Sequence, residues 1–234
     1  EANADSVVTG LRKAFKSKQT IGVILRINSP GGSPVQSGYI ADEINRLRGL
    51  HPDIPVYAVL SDICASGGYY IAANADEIYA DKATLVGSIG VVMNGFGFVE
   101  AMQDLGVERR LLTAGENKGF LDPFSPLKKD ETDHVRTLLS TMHNQFINVV
   151  KQGRGDRLKD DPKLFSGLLW TGEQGIELGL VDGLGSSSYV ARELLGVDHV
   201  VDYTHKEPYF DQLFGRFGAS VGNTLVSAFS PKLQ

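Results

Sequence analysis

An apolar run, Ile21-Gly-Val-Ile-Leu-Arg-Ile27, stops abruptly at Asn28-Ser-Pro-Gly-Gly32, and the next segment puts Ile40, Ile44 and Leu47 on one helical face. The order recurs when His51-Pro-Asp-Ile-Pro55 ends that helix and Val56-Tyr-Ala-Val-Leu60 supplies a second buried run. Strand, breaker and helix repeated in this way predict βα units and a mainly parallel sheet, because parallel neighbours need a crossover helix between them. A helix over Asp5 to Lys18 precedes the first strand.

The rhythm continues downstream. Cys64 to Ala75 is rich in small residues and reads as a helix entered directly from the second strand. Glu77–Ala80, Ile89–Met93 and Val107–Thr113 read as strands, and Phe98–Leu105 as a short helix. After a Gly- and Pro-punctuated loop, Asp130 to Gln152 carries Val135, Leu138, Leu139, Met142, Phe146 and Val149 on one stripe, with Asp130 as the expected N-cap. Two shorter helices, over Gly172–Leu180 and Ser186–Leu195, follow. No repeat and no linker divides the chain, so residues 1–205 read as a single domain. Residues 206–234 read as a tail whose apolar stripe packs on its own domain or on a neighbouring subunit.

With 23 Lys and Arg against 28 Asp and Glu, the net charge of −5 and the absence of a basic block argue against a nucleic-acid partner. Cys64 stands alone, which excludes an intrachain disulfide and a cysteine-built zinc knuckle. No metal or other cofactor is expected. No stretch reaches the 18 or so apolar residues of a membrane span. The chain begins at Glu1, which reads as an excised or processed piece.

Three places could carry chemistry. Asn28-Ser-Pro-Gly-Gly32 closes a strand and opens a helix, so its backbone N–H groups could face a developing negative charge, or it could be only a turn. Cys64-Ala-Ser-Gly-Gly68 follows a strand and enters a helix, which would set Ser66 on the sharp turn of a nucleophile elbow. Gly68 fits that pattern and Cys64 stands where its first glycine would be, so close packing of a small-residue helix is the other reading. A serine nucleophile needs a base. His51, His134, His143, His199 and His205 each read as surface residues, and replacing His134 or His143 is expected to be near neutral. Lys118, in Gly115-Glu-Asn-Lys-Gly119 beside Phe120 and Leu121, is the lysine candidate, although a loop lysine is usually a solvated charge. Lys82 sits in what reads as an exposed turn.

Taken in order, Asn28-Ser-Pro-Gly-Gly32, Ala65-Ser-Gly-Gly-Tyr-Tyr70, Thr84-Leu-Val-Gly-Ser-Ile-Gly90 and Lys118 resemble the motifs of the signal peptide peptidase A family, in its short single-domain form. Ser66 lies 34 residues after Gly32, 22 before Ser88 and 52 before Lys118. The resemblance implies an α/β, crotonase-like fold related to Clp protease, with a repeated ββα core, a mainly parallel sheet and C-terminal helices. It implies a serine–lysine dyad: Ser66 as nucleophile, Lys118 as general base, Ser88 as the hydroxyl that orients the lysine, and backbone N–H groups at Gly32 and Gly67 as the oxyanion hole. Lys82 matches no functional position.

It further implies a bacterial enzyme of the inner (cytoplasmic) membrane whose catalytic domain faces the periplasm or the outside. Such an enzyme degrades remnant signal peptides, assembles into a homo-oligomeric ring in which the lysine can serve a neighbour's serine, and attaches through a segment outside this chain. Two other readings keep the fold: a crotonase-like domain that binds an acyl-coenzyme A, and a catalytically silent scaffold of a membrane complex.

Overall fold

The computed structural model describes residues 3–205, and the expectation for 206–234 lies outside the described residues. Helix α1 (Ala4–Lys16) starts where the Asn3 side chain accepts the Asp5 N–H. Strand β1 (Val23–Ser29) leads through the Pro-Gly-Gly turn into α2 (Pro34–Leu50), which carries Pro at its first position. Strand β2 (Val56–Ala65) then enters α3 (Gly67–Ala72) directly. Strands β3 (Glu77–Ala80) and β4 (Leu85–Gly87), helix α4 (Val99–Asp104) and the 26-residue α5 (Lys129–Arg154) follow. The described part closes with β5 (Leu169–Thr171), α6 (Gly172–Leu178), β6 (Gly183–Leu184), and α7 (Ser187–Tyr189), which runs into a π-helical turn, Val190–Leu194.

The molecule is a mixed α/β protein built on a six-stranded sheet with the path β5-β4-β2-β3-β6 and β1 paired to β2. Among the described residues every pairing is parallel except β4 with β5. Strand β2 organises it. β1 pairs with it from Val56 to Cys64, so β3 and β4 share its other edge in succession: β3 against Tyr57–Leu60 and β4 against Ile63–Ala65. The core fills the space between sheet and helices with fully buried Ile44, Val56, Ile78, Val86, Ile89 and Val150. No helix of the described residues is long and apolar enough to cross a membrane.

Two expected strands are absent. The strand near residue 89 is Leu85–Gly87, because β4 must lie where β2 still offers an edge, and residues 89–93 continue as irregular chain. Residues 107–113 form no strand either: they are exposed and pair with nothing in the sheet. Helix α5 begins at Lys129, so Asp130 is not its cap but, with Glu131, part of an acidic first turn that suits the helix dipole.

One ion cluster ties α1 to α2. The Glu43 carboxylate accepts from Arg12 Nε at 2.7 Å and from Arg46 at 2.7 and 2.8 Å. Hydrogen bonds from Arg46 and then Arg12 hold its carboxyl down at about 2. A carboxylate that is more acidic when folded stabilises the fold above its unfolded pKa, and the contribution disappears as pH falls through the folded value. Because both arginines are about half exposed or more, Glu43→Gln is expected to cost about 1–2 kcal/mol at neutral pH. Melting curves should show the gap to the unmodified protein closing between pH 4.5 and about 2.

Candidate active site

Ser66 occupies the junction of β2 and α3 with φ 50° and ψ −122°, a backbone conformation in which a non-glycine residue costs on the order of 1–3 kcal/mol. Its N–H donates to the Gly87 carbonyl at 2.9 Å and its carbonyl accepts from Tyr70 N–H at 2.9 Å, so the sheet holds one side of the residue and the helix the other. This is the strand-to-helix elbow that lifts a serine hydroxyl clear of the backbone.

Glycines let the neighbouring chain close on that elbow. Gly31 has φ +126°, and a Cβ there would stand 2.8 Å from Ser66 Cβ and 3.1 Å from its Oγ. At Gly67 a Cβ would meet Ser37 Oγ at 2.5 Å and the Gly32 backbone nitrogen at 3.3 Å. The Pro30–Gly32 turn and the start of α3 are thus in contact, and as first residue of α3, Gly67 has no acceptor for its N–H within the helix.

Ser66, Gly67, Gly31 and Gly32 border a cavity of about 620 Å³. Ser88 lines it too, likewise at positive φ (51°). Met142, Gln145 and Phe146 of α5 also line it. The structure therefore brings four of the five predicted site residues to one cavity. Lys118 does not line it. That residue is exposed in the 114–121 turn, where its N–H donates to Gly115 O at 3.1 Å. The turn is held from α5: Leu121, at φ +53°, donates its N–H to Glu131 Oε2 at 3.3 Å, and the Phe120 ring meets the His134 ring edge-on with centroids 5.7 Å apart.

No histidine lines the cavity. His51 packs against Phe15 with the rings tilted by 35°, and His143 is half-buried with Nε2 3.1 Å from the Ile89 carbonyl. Neither the anchoring role of Glu131 nor that of His143 carries a local sequence signal, because each acts on chain far away in sequence. Cys64, fully buried one residue before Ala65, has its thiol pushed well above the usual range by burial, which keeps it an unreactive core group.

Between Val92 and Leu127 the chain bears apolar side chains that the other described residues leave uncovered: Val92 and Phe96 are each 82% exposed and Leu112 is 96% exposed. Phe98 stacks on Phe124, with Arg109 over the latter ring.

Residues 49–198 match the model of Peptidase family S49. A putative signal peptide peptidase SppA of Enterococcus faecium is 32% identical over 224 residues, which are 96% of this chain and 64% of that protein. A putative protease, slr0021, of Synechocystis is 32% identical over 203 residues, 82% of this chain and 72% of its own length. A Brucella melitensis protein named Na(+)/H(+) antiporter NhaA is 47% identical over 186 residues, 80% of this chain. The chain thus spans a quarter of the Brucella protein and 64% of the Enterococcus one.

Proposed function

The chain belongs to peptidase family S49, and from that premise we propose that it is a serine endopeptidase using Ser66 as nucleophile and Lys118 as general base. The observation that carries the reading is the strained elbow at Ser66, open to a cavity that the Gly31-Gly32 turn and the start of α3 also border. A neutral lysine takes the Ser66 Oγ proton as that oxygen attacks the scissile carbonyl. The N–H groups of Gly32 and Gly67 receive the oxyanion, each worth on the order of 3–4 kcal/mol in the transition state. The ammonium then returns the proton to the leaving amine, and a water, deprotonated by the same lysine, releases the acyl group. The Ser88 hydroxyl orients the amine.

That Lys118 does not line the cavity supports a dyad shared between subunits. Its turn is anchored at Glu131, eleven residues along α5 from Met142, or about 16 Å at 1.5 Å per residue. A lysine works as a base only once desolvated, and the uncovered apolar side chains beside it supply a surface for a second copy. A homo-oligomeric ring is the assembly that repeats such a head-to-tail contact until it closes. We read the fold, finer than mixed α/β, as the crotonase-like repeated ββα core. Extended apolar peptides with small side chains near the cut, such as remnant signal peptides, are the substrates. The place of action is the outer side of the bacterial cytoplasmic membrane.

An active-serine phosphonate probe tests the nucleophile: labelling at Ser66, found by peptide mass and lost in Ser66→Ala, is expected. An unlabelled Ser66 would favour an acyl-coenzyme A site or a silent scaffold. For the shared site, mixed oligomers of Ser66→Ala and Lys118→Ala subunits should recover a measurable part of the activity that each lacks alone. No recovery in verified mixed oligomers would put the dyad within one subunit.

A further inference from the structure

The lining of the Ser66 cavity includes Ser88, Gly90, Val91 and Val92, a segment that belongs to no strand. It is held at three points. Ser88 N–H donates to Leu168 O at 2.7 Å, Gly90 N–H turns back to Ser88 O at 2.9 Å, and the Ile89 carbonyl lies 3.1 Å from His143 Nε2. The first two bonds hold the turn to β5's approach and to itself. The third ties it to α5, whose Met142, Gln145 and Phe146 line the same cavity. A carbonyl oxygen can only accept, so Nε2 of His143 carries the proton and donates. Ile89 itself is fully buried, while its neighbours Ser88 and Gly90 line the cavity.

We propose that His143 is a positioning residue: its Nε2–H sets the spacing between α5 and the Ser88–Val92 wall, and with it the width of the cleft and the direction of the Ser88 hydroxyl. As a consequence for function, this rests on the peptidase reading above; as a statement about the wall, it does not. Where the sequence reads His143 as a surface residue, the structure has it half-buried and bonded to the turn that carries Ser88. An extended peptide bound along residues 90–92 would be recognised through its backbone, so a wall free to drift loosens substrate binding before it alters the chemistry.

Two substitutions separate the donor from the ring. His143→Gln keeps an N–H donor close to the Nε2 position, and His143→Phe keeps the ring volume without a donor. In the whole chain, His143→Phe is expected to lower kcat/KM on a fluorogenic peptide about tenfold, mainly through KM, and to speed amide hydrogen exchange in residues 88–92. His143→Gln should stay within about threefold of the unmodified protein with exchange unchanged. The proposal is overturned if His143→Phe keeps both its kcat/KM and its exchange rates, or if Gln is as impaired as Phe. Should the unmodified protein prove neither hydrolytic nor labelled at Ser66, the peptidase reading fails by itself, and the exchange comparison still decides whether His143 holds the wall.

Discussion

Ser66→Ala and Lys118→Ala are each expected to reduce peptide hydrolysis by at least about a thousandfold, and the double variant to lose little more. A nucleophile and its base act as one unit, so removing either leaves only binding and oxyanion stabilisation. The strained conformation at Ser66 strengthens the test, because alanine can keep the elbow while deleting the hydroxyl. Hydrolysis should rise with pH as the lysine loses its proton, since only the neutral amine accepts from the serine. A histidine base would instead give an inflection near about 6.5. Steady-state kinetics across pH decide: activity retained in Lys118→Ala with an unchanged profile removes lysine from the role.

Arg154→Met is expected to be the most destabilising of the changes considered, at about 3–5 kcal/mol. Arg154 is 1% exposed. Its two terminal nitrogens each donate to an Asp182 carboxylate oxygen at 2.8 Å, and its Nε donates to Gly179 O at 2.9 Å. Asp182 also accepts the Ile78 N–H at 2.7 Å, so one ion pair fastens the end of α5 to β3 and to the chain entering β6. Burial pushes the Asp182 carboxyl up, but hydrogen bonds and charge from Arg154, the Ile78 N–H and the Arg157 charge outweigh it and leave it lowered. Without Arg154 that half-buried carboxylate keeps only part of its partners, which is what makes loss of one side costly. For a protein of this size the melting temperature should fall by about 6–20 °C. A fall under about 2 °C would mean Arg157, 3.3 Å from Asp182, suffices alone. Replacing both members, as Arg154→Met with Asp182→Asn, should recover part of the loss, because no unpaired charge is then left inside.

Much of this architecture is local in origin and was readable as such. The apolar runs at 21–27 and 56–60, broken by Gly and Pro, dictate strands that end in tight turns, and both appear, at Val23–Ser29 and Val56–Ala65. The stripe from Val135 to Val149 dictates a long amphipathic helix, and α5 covers it. The Ser66 elbow is written in the small residues around it, since only Gly67 and Gly68 allow α3 to start so close to its neighbours. What local pattern could not determine is which segments find a partner. Val107–Thr113 has the composition of a strand but meets no free sheet edge, whereas Leu85–Gly87 becomes β4 because β2 extends to Ala65 and offers one. The separation of Lys118 from the cavity and the hold of His143 on Ile89 belong to the same class. Each depends on where α5 lies, and a helix's position is decided by what it packs against, not by the periodicity that makes it a helix.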